Sequence, residues 1–118
     1  MDIKLPKIIE YTKTKTLDKG RVETTLRLFM LDAEVVDSIV KGFAAGEISM
    51  VEMRVGTTIK HPKDKYDKTV AKAEAAKKLK KVSERITRIN IDNKSVTIVA
   101  ETVMIRKYTD NGKIVIYS

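Results

Sequence analysis

The first third of the chain alternates apolar and polar residues in a way that predicts a β-hairpin followed by a short helix. Residues 3–12 and 21–31 have strand patterns, and the Asp-Lys-Gly turn signal at 18–20 lies between them, so we expect a hairpin with a long or bulged loop. Apolar residues at helical spacing over 33–45 predict a helix, and Asp32 is in position to cap it.

The middle of the chain predicts a strand, a loop and the longest helix. Residues 47–60 return to a strand pattern with apolar side chains on both faces. In the loop 61–67, Asp64 or Asp67 offers a helix N-cap. Over 68–84 an apolar residue recurs at every third position, which predicts a helix whose narrow, alanine-rich stripe lies close against a sheet. The stripe consists of Val70, Ala73, Ala76, Leu79 and Val82.

The last third returns to β structure. Residues 86–92 and 95–108 flank an Asp-Asn-Lys turn, and Asn111-Gly112 predicts a hairpin that leads into a final strand over 113–118. Both faces of the 95–108 strand are apolar, so each face needs a cover. We expect the helices to cover one face and either a second sheet or another subunit, which we favour, to cover the other. The chain is therefore expected to form one α+β domain over 1–118, with about six mostly antiparallel strands and two helices in the order β-β-α-β-α-β-β-β.

The composition excludes several kinds of protein. The chain has 118 residues, of which 42% are hydrophobic, as in one ordinary domain. The absence of cysteine excludes disulfides, thiol nucleophiles and thiolate metal sites, and a single histidine, His61, excludes a three-histidine metal centre. No apolar run approaches the roughly 20 residues of a membrane helix, and the first residues lack the apolar stretch of a signal peptide. We expect a cytoplasmic protein with no membrane partner and no cofactor.

The positive charge is concentrated in one segment. The formal net charge is +8, and residues 60–88 alone carry 11 basic and 4 acidic side chains. A local positive field raises the rate of encounter with anionic partners such as nucleotides, nucleic acids or acidic protein surfaces. The alternative is a lysine-rich helix face that is only solvated, since lysines without arginines or interleaved aromatic residues are a weak recognition signal.

The sequence carries none of the usual motifs of catalysis. The five glycines form neither a dinucleotide-binding Gly-x-Gly-x-x-Gly nor a P-loop, and the five serines lie in no nucleophile elbow. Carboxylates are dispersed, and the pair Asp64 and Asp67, three positions apart in a lysine-rich loop, is expected to cap a helix. We therefore expect a protein that is not an enzyme and holds no metal.

The segment 55–79 combines features that suit an anion site at the start of a helix. The first turn of a helix offers unpaired N–H groups and the positive end of the dipole. Lysines surround that turn, and Tyr66 supplies a stacking face. The basic residues are Lys60, His61, Lys63, Lys65, Lys68 and Lys72. The alternative is a helix entry fixed by Pro62 and the aspartates, with Tyr66 packed into the core.

The same segment resembles a stretch of small phage-encoded accessory proteins. The resemblance rests on Val55-Gly56, the run His61-Pro62-Lys63-Asp64, the aromatic Tyr66, the following lysine and an alanine-rich basic helix, over about 25 of 118 residues. In size and basic character the chain is similar to the anti-Thoeris sponges, phage proteins that sequester a cyclic ADP-ribose-type immune signal without hydrolysing it. The resemblance implies a phage origin and an anti-defence role in the host cytoplasm, and no ligand residue is transferred from that family.

The first functional hypothesis is a homo-oligomer that sequesters a small anionic nucleotide, either of the cyclic ADP-ribose type or a cyclic oligonucleotide. Pockets between subunits let a small domain enclose such a ligand. Arginines on predicted strands bind phosphate with two parallel hydrogen bonds, and asparagines near a turn read a base or ribose edge. The candidate ligand-binding residues are Arg54, His61, Lys63, Lys65, Tyr66, Lys68, Arg88, Asn90, Asn93 and Arg106.

Each candidate also has a simpler explanation. Arg54 has Glu52 or Glu101 as an ion-pair partner, Asn93 is a natural turn residue, and Arg88 and Arg106 fit solvated strand positions. Two other functions remain open. One is a DNA- or RNA-binding module that uses the 60–88 segment, and the other is a phage inhibitor that docks on an acidic host protein.

Overall fold

The strands of the computed structural model follow one another in chain order, and every strand pair with an assigned register is antiparallel. The structure describes residues 8–47, 49–61, 65 and 67–118. The helices in these ranges are α1 (Ala33–Ala44) and α2 (Lys68–Ala76), and a short 3-10 turn covers Asp18–Gly20. The strands are β1 (Ile8–Thr16), β2 (Val22–Met30), β3 (Met50–Lys60), β4 (Lys80–Ile91), β5 (Ser95–Ala100), β6 (Met104–Tyr108) and β7 (Ile114–Tyr117).

The α+β class and the two helices are confirmed, but the number of strands differs from the prediction. The described residues contain seven strands rather than about six, because the segment expected as one strand over 95–108 forms both β5 and β6. The amide of Ala100 donates to the carbonyl of Val103 at 2.9 Å and closes a tight turn between them. The order is therefore β-β-α-β-α-β-β-β-β.

The predicted helix over 68–84 is wrong in its second half. α2 ends at Ala76, and β4 begins at Lys80. The three-residue spacing misplaced the buried face as well, since Ala71 and Ala75 are fully buried whereas Val70 is 46% exposed. From Val82 onward the burial alternates with the period of a strand, and Ile86 is buried on β4.

The chain divides into two compact units, each described by itself below. The α1 unit contains Met30–Glu52 and Ser83–Ser118, and the α2 unit contains Ile9–Phe29 and Met53–Val82. In the α1 unit, cross-strand neighbours Ile98, Ile105 and Ile116 are buried together on one face of β5–β7. Lys107 lies on that face and pairs with Asp37 of α1 at 2.6 Å, so α1 covers this face.

In the α2 unit, helix and sheet approach closely through small residues. Leu26 of β2 pairs with Gly56 of β3, and both are buried. A Cβ atom added at Gly56 would overlap the carbonyl oxygen of Ala75 in α2. The expectation that an alanine-rich helix packs close against a sheet is therefore confirmed, although the alanines that do so are Ala71 and Ala75.

Both helices begin at the aspartates that their sequences suggested. Asp32 adopts an extended conformation, and its carboxylate accepts from the Val35 amide at 2.9 Å. Asp67 caps α2 by accepting from the amides of Thr69 and Val70 at 2.9 and 3.2 Å. These bonds satisfy amides that would otherwise have no partner in the first helical turn.

Candidate functional site

The register of β4–β7 aligns several candidate residues on one face of these strands. Asn90, Thr97, Arg106 and Val115 are successive cross-strand partners. Cross-strand partners project to the same face of an antiparallel sheet. The neighbouring rows add Arg88, Val99, Met104 and Tyr117 on one side and the pair Ser95 and Tyr108 on the other.

These rows lie on the face opposite the buried isoleucines, because successive residues of a strand point to opposite faces. Arg106 and Tyr108 alternate with the buried Ile105, and Thr97 alternates with the buried Ile98. We call this surface the arginine–tyrosine face and define it by Arg88, Asn90, Thr97, Arg106, Tyr108 and Tyr117.

Arg106 is held at the centre of the arginine–tyrosine face by three interactions. Its Nε atom donates to the Thr97 hydroxyl at 3.2 Å, and its guanidinium carbon lies 5.5 Å from the centroid of the Tyr117 ring. At that distance the cation is attracted to the electron-rich face of the ring. Its side chain also interacts with Tyr108, and this contact lowers the pKa of that tyrosine. A guanidinium restrained in this way is pre-organised, which lowers the entropy lost on binding an anion.

The contacts between Arg106 and the tyrosines also change their acidity. The hydrogen bond from Arg106 is the largest cause of a lowered pKa at Tyr108, followed by the hydrogen bond with Tyr117. The reciprocal bond with Tyr108 raises the pKa of Arg106. Asp92 lies near enough to feel this charge, although backbone hydrogen bonds from Lys94 and Ser95 are the main reasons why its pKa is lowered.

The arginine–tyrosine face offers the groups that a nucleotide needs. Guanidinium groups bind phosphate oxygens through charge-assisted hydrogen bonds, aromatic rings stack on bases, and a side-chain amide reads a base edge. Arg88 and Asn90 are exposed, and Tyr117 is 36% exposed. These three side chains are therefore accessible from solvent beside Arg106.

The other candidate residues are distributed between the two units. Arg54 is exposed on β3 of the α2 unit, and Asn93 is exposed in the turn between β4 and β5. His61 and Lys65 are exposed between β3 and α2, and Lys68 is exposed at the start of α2. Lys63 and Tyr66 lie outside the described residues.

The start of α2 supports the helix-cap alternative for the 55–79 segment. An anion at this helix end would need the amides of the first turn. Two of those amides, at Thr69 and Val70, already donate to the carboxylate of Asp67. The Asp67 carboxylate therefore occupies the position that an anion would take, and the exposed lysines of the segment remain available for contacts at longer range.

Three residues of the arginine–tyrosine face were missed by sequence reasoning. Thr97, Tyr108 and Tyr117 each alternate with apolar residues, and that pattern alone suggests strand positions without a role. The Asn-Gly turn signal was the usable clue, because a hairpin there brings Arg106 and Tyr108 opposite the strand that contains Tyr117. The structure confirms a connection at this position, with the Tyr108 amide donating to the Lys113 carbonyl at 2.8 Å.

Metal sites and membrane helices were also sought in the part of the chain that the structure describes. No group of three or more histidine, cysteine, aspartate or glutamate side chains that could hold a metal occurs among those residues. In the same residues, no helix has the length and apolar character needed to cross a membrane.

Comparison with known proteins gives no relative for this chain. No family model matches it, and neither the curated proteins nor the solved structures contain a significant match.

Proposed function

We propose that this protein binds a small anionic nucleotide on the arginine–tyrosine face and does so without catalysis. The observation that carries the proposal is the fixed position of Arg106, which lies against Tyr117 and donates to Thr97. A restrained guanidinium beside two tyrosine rings offers phosphate binding and base stacking within one surface.

The separation of the two arginines favours a ligand with more than one charged group. Arg88 lies on β4 and Arg106 on β6, with β5 between them. Two strand spacings place the backbone positions of these arginines about 10 Å apart, so the two guanidinium groups have room to contact separate phosphates. A ligand with two phosphates, or with linked nucleotides, spans this separation and uses the fork of each arginine. The exposed amide of Asn90 then lies beside the ligand.

The specific form of the proposal is sequestration of a signal nucleotide. The resemblance to the anti-Thoeris sponges implies a phage-encoded protein that removes a cyclic ADP-ribose-type immune signal. A binding surface without a catalytic motif suits that role, because sequestration requires affinity alone. In this proposal a second copy of the chain covers the arginine–tyrosine face, where Val99, Met104 and Val115 are half-buried between the polar residues.

Calorimetric titration with ADP-ribose and with cyclic ADP-ribose tests the proposal. We expect binding by the wild-type chain, and at least a tenfold higher Kd for Arg106→Ala, which corresponds to about 1.4 kcal/mol. Arg106→Lys keeps the charge but loses the fork, so it is expected to bind almost as weakly as Arg106→Ala. Arg21→Ala is the matched control, since Arg21 is an exposed arginine of the α2 unit.

Two outcomes would contradict this function. One is the absence of heat on titration of the wild-type chain with either nucleotide. The other is an unchanged Kd in Arg106→Ala when its thermal unfolding shows that the fold is intact. Native mass spectrometry of the same samples measures the number of subunits. A monomer that binds the nucleotide would show that binding does not require a second copy of the chain.

A further inference from the structure

Two residues of β7 have backbone groups that point away from the rest of the sheet. β7 lies at one end of the strand order, beside β6. The carbonyl of Lys113 accepts from the Tyr108 amide at 2.8 Å, so the peptide groups of Lys113 point toward β6. Peptide groups alternate in direction along an antiparallel strand, so those of Val115 also point toward β6. The N–H and C=O groups of Ile114 and Ile116 therefore point to the outer edge of β7.

This outer edge lacks the usual protection of an edge strand. In the part of the chain that the structure describes, no strand pairs with it, and no loop or turn hydrogen bond reaches the backbone of Ile114 or Ile116. Natural edge strands are usually protected by charged side chains, proline or a bulge. β7 has no charge, no proline and no register shift against β6, whereas β1, at the other end of the strand order, carries the exposed Lys13 and Lys15. Another strand can therefore join β7.

The charge of the α1 unit favours a second copy of the chain as the partner. Met30–Glu52 and Ser83–Ser118 carry 7 basic and 9 acidic side chains, a net charge of −2, whereas the α2 unit carries 15 basic and 6 acidic, a net charge of +9. Copies that meet at β7 bring nearly neutral segments together, and the two strands place no like charges opposite each other. A highly charged partner would find no ion pair along this strand.

β7 is also complementary to itself in an antiparallel pair. Such a pair has a two-fold axis perpendicular to the sheet, and the same patch serves both copies. Cross-strand partners share a face, so the axis passes through a residue, and Val115 is the middle of the Lys113–Tyr117 segment opposite β6. With the axis there, Ile114 lies opposite the partner's Ile116, and their outward N–H and C=O groups exchange hydrogen bonds.

We propose that β7 pairs antiparallel with β7 of a second copy, so that the β5–β7 strands of both chains form one continuous sheet. The partner at β7 lies beside the arginine–tyrosine face, whereas the second copy in the nucleotide proposal lies over that face. The pairing requires no nucleotide. Because a short strand edge buries little area, we expect a weak dimer with a Kd of about 10 μM.

Hydrogen exchange followed by NMR tests the pairing on the unchanged chain. The Ile114 and Ile116 amides have only the partner strand as an acceptor, so we expect them to exchange about fivefold faster when the protein is diluted from about 1 mM to about 20 μM. The Val115 and Tyr117 amides point toward β6 and should change much less.

A cysteine at the two-fold axis tests the register. The chain has no cysteine, so Val115→Cys introduces a single thiol. In a pair without hydrogen bonds the two Cα atoms are about 4.5 Å apart, a distance that a disulfide spans. After oxidation with diamide, Val115→Cys should migrate as a covalent dimer on a non-reducing gel. Val99→Cys is the matched control, because Val99 is half-buried on the same face but lies on β5, which has a strand on each side.

Three results would overturn the proposal. They are a wild-type chain that remains a monomer in native mass spectrometry at about 0.5 mM, unchanged exchange of the Ile114 and Ile116 amides on dilution, and equal disulfide formation in the two cysteine variants. The last result would indicate a copy lying over the face instead of beside it. None of these measurements uses a nucleotide, so this proposal and the nucleotide proposal fail separately.

Discussion

The α2 unit and the α1 unit differ in the kind of cationic group they carry as well as in net charge. The α2 unit has 12 lysines and 3 arginines, whereas the two α1-unit segments have 4 lysines and 3 arginines. In the α1 unit, Arg106 is restrained by the Thr97 hydroxyl and the Tyr117 ring, and it also interacts with Tyr108. The comparison shows that a high net positive charge and a cationic side chain held in a fixed position are separate properties. Here they occur in different parts of one chain.

The two helices also pack in different ways. α2 buries Ala71 and Ala75 against β3, and α1 buries the larger Val36. Small residues let backbones approach closely, so the packing of α2 depends on Gly56 having no side chain. In α1 the burial of a whole aliphatic side chain contributes instead. The α2 unit should therefore be the more sensitive of the two to an added methyl group.

Gly56→Ala is expected to have the largest effect on stability. The new methyl group would overlap the Ala75 carbonyl oxygen and lie 2.9 Å from the carbonyl carbon, and neither atom can move without shifting α2. We expect a loss of about 3 kcal/mol or more in the free energy of unfolding, at the upper end of overpacking effects. Urea denaturation followed by circular dichroism measures it.

Gly46→Ala is the control for Gly56→Ala. Gly46 has a positive φ of 78° but open space around it, so the substitution adds backbone strain without overlap. We expect it to cost about 1 kcal/mol. A loss in Gly56→Ala no greater than that in Gly46→Ala would show that α2 does not depend on close approach to the strand.

Glu84→Ala tests a contact on which the stability of the α1 unit is expected to depend. Glu84 is buried, and its carboxylate accepts from the Thr102 amide at 2.7 Å and from the Thr102 hydroxyl. Loss of charge-assisted bonds to the turn between β5 and β6 is expected to cost about 2 kcal/mol. The exposed Glu101→Ala in the same turn should change stability by less than about 0.5 kcal/mol.

Hydrogen exchange gives a local readout for Glu84→Ala. The Thr102 amide should exchange faster in this variant than in Glu101→Ala, since only Glu84 accepts its hydrogen bond. Equal exchange rates of the Thr102 amide in the two variants would show that the Glu84 carboxylate does not hold this turn in place.

The parts of the fold that depend on local chemistry were predictable from the sequence. Asp32 was expected to cap the first helix and either Asp64 or Asp67 the second. Asp32 and Asp67 accept from amides of the first turn, and Asp64 lies outside the described residues. Side chains of this type satisfy first-turn amides whatever lies beyond the helix, so their effect is readable without tertiary information. The hairpin at Asn111-Gly112 was also predictable, because its turn depends on the local backbone preferences of these two residues.

Two boundaries were wrongly predicted, the end of α2 before β4 and the division of the 95–108 segment into β5 and β6. Both depend on contacts between residues that are distant in the sequence. Val82 fits both the helical spacing of the predicted stripe and the strand alternation that continues to Ile86. β4 is fixed by partners that are distant in the sequence, such as the Ser49 carbonyl, which accepts from the Ile86 amide. The turn at 101–103 contains no glycine, proline or asparagine. Its geometry depends on Glu84, which lies 18 positions away from Thr102. No local pattern encodes either feature.

The candidate site was predictable only in part. Arg88, Asn90 and Arg106 were selected for their side-chain chemistry, and the strand register places them on one face. Tyr108 lies two residues after Arg106 on β6, and the Asn111-Gly112 signal indicates that β6 pairs with β7. The register that sets Tyr117 opposite Met104 is supplied only by the structure. Arg54 was selected on the same grounds but lies in the α2 unit.

The smallest expected effects are changes in the pKa of one carboxylate in each unit, Glu74 in the α2 unit and Asp92 in the α1 unit. The pKa of Glu74 is lowered mainly by the Lys60 ammonium, and the pKa of Asp92 mainly by backbone amides of Lys94 and Ser95. Both groups have a folded pKa below the unfolded value, so each stabilises the fold at neutral pH. That contribution is lost as the pH falls below about 4, when the carboxylates take up protons.

Salt should distinguish these two carboxylates. The half-buried charge pair of Lys60 and Glu74 is partly screened by added salt, whereas a hydrogen bond from a fixed backbone amide is much less affected. In NMR titrations of the side-chain carboxyl groups, we expect the pKa of Glu74 to rise toward its ordinary value in high salt and that of Asp92 to stay lowered. Lys60→Met should raise the pKa of Glu74 at low salt and leave Asp92 unchanged. An equal response of both groups to salt would mean that the general positive field of the chain, rather than these local partners, lowers their pKa values.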